Sequence, residues 1–139
     1  MCAIANPEDR DAVIALWEAC GLTRPWNDPV SDFDFALGGA ASTVLVLRQG
    51  AAIMGAAMVG HDGHRGGVYY VAIDSAQQGE GLGRLLMRGA EDWLRERAVP
   101  KLNLLVRKEN ATVIGFYEAL GYIDQDCISL GKWLEEPRA

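Results

Sequence analysis

The stretch from Tyr69 to Arg84, YYVAIDSAQQGEGLGR, limits what this chain can fold into more than any other part of it. Aromatic and β-branched residues at its start favour an extended strand. A Gln-x-x-Gly-x-Gly turn then interrupts the run and opens an amphipathic helix. Glycine at 79, 81 and 83 lets the backbone adopt dihedrals closed to other residues and lets a ligand approach closely. The free N–H groups and the dipole of the helix start favour an anion there. A strand, a glycine turn and a helix in that order describe a phosphate cradle within an α/β fold; a tight strand-to-helix connection with no ligand is the plainer reading of the same residues.

Periodicity supplies the other elements. Asn6-Pro7-Glu8-Asp9 reads as a helix start, with a cap, a proline in the first turn and acids near the positive end of the dipole. Val13, Leu16, Trp17 and Cys20 follow at helical spacing and predict a core face, which Gly21 ends. Pro25 and Pro29 hold the next segment extended, and a second helix is expected over Ser31–Leu37. Thr43–Arg48 and Ala51–Val59 read as strands of a hairpin turning at Gln49-Gly50, and Val68–Asp74 reads as the next strand. After the glycine turn, Leu82, Leu85, Leu86, Trp93 and Leu94 form the predicted apolar side of a helix that Pro100 ends. Leu102–Val106 is an apolar strand, Asn110 caps a helix carrying Val113, Phe116, Tyr117 and Leu120, and Ile128–Leu134 is read as the last strand. With a short strand at Cys2–Ala5, the order predicts a mixed α/β sheet in a single domain over residues 1–139.

Composition narrows the function classes. A net charge of −6 argues against nucleic acid as a partner, because its recognition draws on clustered Lys and Arg, and suits a cationic acceptor instead. No apolar run approaches the ~20 residues of a membrane-spanning helix. The start of the chain lacks the basic and apolar segments of a signal peptide, so a cytoplasmic location is expected. Cys2, Cys20 and Cys127 are isolated and read as reduced, and with only His61 and His64 as histidines no metal is expected.

Two alternative glycine motifs fail on spacing. A dinucleotide fingerprint from Gly79 needs glycine at 84, where Arg84 stands, and no G-x-x-x-x-G-K-S/T loop occurs. The turn Gln78-Gly79-Glu80-Gly81-Leu82-Gly83 instead resembles the acyl-CoA motif, Q/R-x-x-G-x-G/A, of the GNAT superfamily of N-acetyltransferases. A second block, Asn110-x6-Tyr117-x3-Gly121-Tyr122, resembles the family's Asn-x6-Tyr-x3-Gly-Phe/Tyr. LWEACGLTRPWNDP and GHDGHRGGVYY further resemble a YpeA-like bacterial subgroup.

The resemblance implies a GNAT acyl-CoA N-acyltransferase fold: a mixed, mostly antiparallel sheet of 6–7 strands with about four helices, splayed between the fourth and fifth strands. It also implies direct transfer from acetyl-CoA, the cosubstrate, to a primary amine of a small molecule or peptide. Homodimers are compatible with it. By the same resemblance the pantetheine arm pairs with Val71, Ala72 and Ile73, and the pyrophosphate rests on Gln78, Gly79, Glu80, Gly81, Leu82, Gly83 and Arg84. Asn110 contacts the cofactor arm, Tyr117 is the general acid, and the Ile73 N–H is the oxyanion donor. A phenol with a reference pKa of ~10 is protonated at neutral pH and fits the acid's role. From periodicity alone Tyr117 reads as a core residue, in a stripe with Val113 and Leu120, and it is the family block that reverses this reading.

The base is the weak point of the pattern, because neither Val68–Ile73 nor Leu102–Val106 carries an acid, and Leu105 stands where ribosomal-protein N-terminal acetylases have glutamate. Asp62 and His64 are the first candidates, with Glu18, Asp28 or a water held by Tyr70 behind them, although for His64 turn stabilisation is the preferred reading. Trp26, Asn27, Asp28 and Tyr70 are the candidate acceptor-binding residues, against a plainer reading of core and turn. The missing strand acid leaves one rival function, a sensory or structural module that binds acyl-CoA without turnover.

Overall fold

A computed structural model describes residues 2–136, which divide into two compact units, one running to Leu104 and one starting at Leu105. The first unit holds a five-stranded sheet in the order β1 (Cys2–Ile4), β2 (Ser42–Gln49), β3 (Ala52–His61), β4 (Gly66–Ile73) and β5 (Leu102–Asn103). The first four strands run antiparallel to their neighbours, and β5 is parallel to β4. Five strands stand among the described residues in place of the expected 6–7.

The first helical residues arrive as a 3-10 turn, Pro7–Asp9, which leads into α1 (Arg10–Ala19). Asp9 Oδ2 accepts the Asn6 N–H at 2.7 Å and also pairs with Arg48 of β2, so the turn is pinned to the sheet. Val13, Leu16 and Trp17 of α1 are buried as their spacing predicts. The second helix, α2 (Pro29–Gly38), begins two residues before the predicted Ser31, since Asp28 is its N-cap and Pro29 its first residue. One Asp28 oxygen accepts the Val30 and Ser31 N–H groups and the other the Ser31 hydroxyl. Phe33 and Ala36 of α2 join Val13, Trp17, Val44, Val46, Ala56 and Ala72 in one core.

The long helix α3 (Leu82–Glu96) buries Leu86, Met87, Ala90, Trp93 and Leu94. Leu85, expected on that face, is 42% exposed instead, because Met87 and Ala90 shift the buried stripe round the helix. Fully burying a side chain such as Leu86 or Met87 stabilises by about 1.5–3 kcal/mol, and the 15-residue helix depends on this face more than on its own propensity.

The second unit contains α4 (Ala111–Ala119), capped by Asn110, whose side-chain oxygen accepts the Val113 N–H at 3.3 Å. Gly121, at φ 95°, follows the helix as predicted. Two strand expectations are corrected. The ladder of the fifth strand covers only Leu102–Asn103 of the predicted Leu102–Val106, and Ile128–Leu134 forms no strand. Apolar residues state which side chains favour extended backbone, but a strand also needs a facing edge to take its hydrogen bonds.

Candidate active site

Strand β4 carries the first half of the site. Its pairing with β3 changes register between Ala56↔Ala72 and Met58↔Tyr69, so Tyr70 and Val71 together face Ala57. This is a β-bulge, and Tyr70 takes up the extra residue in a left-handed conformation, φ 57°. Beyond the bulge the regular ladder resumes. The Asp74 N–H donates to Met54 O at 2.8 Å, which makes 54 and 74 a hydrogen-bonded pair. Antiparallel alternation then makes Ala56↔Ala72 bonded and Gly55↔Ile73 non-bonded. The Ala72 amide therefore turns towards β3, whereas the Val71 carbonyl and the Ile73 N–H turn away from it. Ile73 O obeys the same geometry and accepts the Cys20 thiol at 3.4 Å. The parallel ladder to β5 reaches only Gly66 and Gly67, so the edge of β4 at Val71–Ile73 lies outside it.

The predicted backbone contacts thus divide. The Val71 carbonyl and the Ile73 N–H lie on the open side of β4, while the main chain of Ala72 is committed to β3, with its residue 2% exposed.

The glycine turn continues directly from this edge. Asp74 caps a 3-10 turn, Ser75–Gln77, by accepting the Ala76 N–H at 3.0 Å. Gly79 (φ 87°) and Gly81 (φ 77°) then occupy the left-handed region, and nothing lies within 4 Å of a Cβ built at either. Gly81 is the N-cap of α3, and its carbonyl accepts the Leu85 N–H at 3.2 Å. The amides of the first helical turn, Leu82, Gly83 and Arg84, have no intrahelical acceptor upstream and carry the positive end of the dipole. Gln78, Glu80 and Arg84 are exposed around this open turn.

A cavity of about 470 Å³ opens beside the bulge, lined by Asn27, Asp32, Phe35, Ala36, Ser42, Met58, Tyr69 and Tyr70. The bulge aims Tyr70 across it. Its ring stacks on Trp17 with centroids 4.2 Å apart, and its hydroxyl donates to Asp32 Oδ2 at 2.7 Å. Burial, and then the Asp32 carboxylate, hold the Tyr70 phenol far above the ordinary tyrosine range, although an Asn27 amide bonds the same oxygen and opposes the shift. Of the residues the sequence nominated for an acceptor, Asn27 and Tyr70 meet here. Asp28 is occupied as the cap of α2, and Trp26, 42% exposed, is outside the lining.

The nominated bases stand elsewhere. Asp62 Oδ1 accepts the His64 and Arg65 N–H groups at 2.9 and 2.8 Å, which closes the β3–β4 turn and lowers the Asp62 pKa. Both residues are exposed and precede Gly66, the end of β4 opposite Ile73. This geometry is that of the turn-stabilising alternative.

Sequence reasoning passed over Asp32. Its signal was available: Asp32, Phe35 and Ala36 share a helix face at i, i+3 and i+4, a carboxylate beside residues of an apolar stripe. In the second unit Tyr117 is largely buried, makes edge-on contacts with Phe116 and Tyr122 at 5.0 and 5.7 Å, and has its pKa raised by burial.

Residues 8–122 match the family model described as the acetyltransferase (GNAT) family. An acetyltransferase of Pectobacterium atrosepticum is 44% identical over 135 residues, covering 97% of this chain and 96% of that protein. Among solved structures, a candidate acetyltransferase of Agrobacterium tumefaciens superposes with a TM-score of 0.82 at 19% identity, covering 96% of this chain and 99% of that one. AAC(6')-Iy, bound to the bisubstrate analogue CoA-S-monomethyl-acetylneamine, superposes with a TM-score of 0.82 at 11% identity, covering 96% of this chain and 97% of that one. At those identities the two structures share the fold.

Proposed function

This chain belongs to the acetyltransferase (GNAT) family and is an N-acetyltransferase dependent on acetyl-CoA, and from that premise we propose where on it the transfer is run. The observation that carries the proposal is the direction of the β4 backbone: the Val71 carbonyl and Ile73 N–H leave the sheet edge just before the open amides of Gly79–Arg84. An extended pantetheine arm adds to that edge as a strand would. Its diphosphate sits on the glycine turn and the start of α3. The likeness to AAC(6')-Iy with its CoA conjugate supports this reading.

In the reaction the acceptor nitrogen attacks the thioester carbonyl, the Ile73 N–H bonds the developing oxyanion, and the C–S bond breaks. The amine loses a proton and the CoA thiolate gains one. Tyr117 donates the latter in this scheme, an assignment that rests on its place in the Asn110–Tyr122 motif and on the burial that keeps its phenol protonated. Asn110, whose side chain caps α4, contacts the cofactor arm in the same scheme. The acceptor enters through the cavity at Asn27, Asp32 and Tyr70. The match over residues 8–122 spans both compact units and supports one functional module across the chain. The sequence blocks around Trp26 and His64 support the narrower YpeA-like grouping.

The test is acetyl-CoA binding by calorimetry, followed by thiol release in the presence of amines. Binding with turnover of an amine is expected. Binding with silence across the amines would leave an acyl-CoA module without turnover.

A further inference from the structure

We propose that the cavity beside the β4 bulge selects a dicationic acceptor, holding one ammonium on Asp32 while the second amine, as the free base, is presented at Ile73. The inference rests on the transfer site assigned above, and deepens it by naming the class of acceptor.

Its basis is a contrast among the carboxylates of this face. Asp9 is paired with Arg48, and Asp34 with Arg10 at 3.0 Å. Asp32 is half-buried on the same helix as Asp34, yet among the described residues no Lys, Arg or His pairs with it. Among the described residues its side chain accepts one hydrogen bond, from Tyr70, and a carboxylate has room for about three more. A partly desolvated carboxylate in a largely apolar cavity is stabilised by a cation from outside the chain.

The surroundings fit an ammonium on an alkyl stem. Phe35, an aromatic residue 85% exposed on α2, stands at the cavity with Tyr69, itself 57% exposed, so two π-faces are open to a ligand cation. Ala36 and Met58 supply apolar wall for methylenes. Ser42 is not available as a donor, because its hydroxyl already bonds Ala36 O at 2.9 Å. A volume of about 470 Å³ suits a small ligand rather than a folded surface.

The choice of two cations follows from acid–base chemistry. A carboxylate that grips an ammonium stabilises its protonated form, and a protonated amine has no lone pair with which to attack a thioester. Asp32 therefore suits the nitrogen that does not react. The reacting nitrogen lies beyond it, towards the β4 edge three residues past Tyr70.

The test compares α,ω-diaminoalkanes of about three to six carbons with 1-aminoalkanes of matched length, on the full chain, by calorimetry and by thiol release from acetyl-CoA. Diamines are expected to bind and react at concentrations at least about tenfold lower than monoamines, an advantage that added salt erodes. Asp32→Asn should remove at least about tenfold of diamine affinity while leaving acetyl-CoA binding, at the glycine turn, within about twofold. Phe35→Ala, at an exposed position that the fold does not need, should weaken diamines several-fold, and circular dichroism checks that both variants fold. Equal use of diamines and monoamines, or an Asp32→Asn protein with undiminished diamine preference, would overturn the inference. Diamine binding that depends on Asp32 without any thiol release would leave this site standing and remove the transfer assignment; turnover of amines without that dependence would do the reverse.

Discussion

Asp32 Oδ2 on α2 accepts the Tyr70 hydroxyl at 2.7 Å, and this bond ties the second helix to the left-handed residue of the β4 bulge. Because burial and the adjacent carboxylate both disfavour the phenolate, Tyr70 should ionise only well above the ordinary tyrosine range. The folded-state pKa lies above the unfolded value of ~10, so the stability this group contributes is complete below about pH 10 and is lost as pH rises from there. Ultraviolet titration of phenolate should show a delayed tyrosine that is missing in Tyr70→Phe. Native and Tyr70→Phe proteins with the same phenolate titration at high pH would contradict the arrangement.

The pair between Asp9 and Arg48 governs the acid side. The Arg48 guanidinium holds the Asp9 carboxyl below its usual range, so its contribution is present above an unfolded pKa of ~3.9 and disappears as pH falls through the lower folded value. Thermal melts between about pH 2 and 6 should show this loss in the native chain and a shallower acid limb in Asp9→Asn. An identical limb in both proteins would mean that the pair does not contribute.

If the diphosphate rests on the glycine turn as proposed, Gly81→Val should abolish acetyl-CoA binding, since a branched side chain would fill the open space there and the position has φ 77°. The left-handed conformation alone costs a residue with Cβ about 1–2 kcal/mol. Gly63→Val controls for that cost, because Gly63 has φ 86° and open space in the β3–β4 turn. Calorimetry should find affinity lost by about a hundredfold or more in the first variant and retained in the second, although both melt at lower temperature.

Tyr117→Phe should lower kcat by about a hundredfold or more while the acetyl-CoA dissociation constant stays nearly unchanged, the signature of a general acid. Stopped-flow thiol release under saturating cofactor measures the first and calorimetry the second. A rate equal to that of the native chain would return Tyr117 to a packing role.

Elements set by near neighbours are legible in the sequence. Val13, Leu16 and Trp17 lie in the core as a 3.6-residue period requires, Asn110 caps α4, and the strand ending at Ile73 hands over to the glycine turn. Misreadings begin where a local signal has two uses. Asn27-Asp28-Pro29 reads as a turn, yet Asp28-Pro29 is also the cap and first residue of a helix, and only the packing of Phe33 and Ala36 selects the second. Leu85 satisfies the period of α3 as well as Met87 does, and the orientation of the sheet beneath decides which is buried.

The sequence by itself settled the family, through glycines and caps whose spacing within one turn is a matter of local backbone geometry. Tertiary structure alone decided that Tyr70 occupies a bulge, that Ile73 rather than Ala72 offers its amide to the open edge, and that Asp32 meets a hydroxyl 38 residues away. Those relationships depend on register between strands and on where a helix comes to rest against a sheet. Such distances are set by the whole core at once, and no window along the chain contains them.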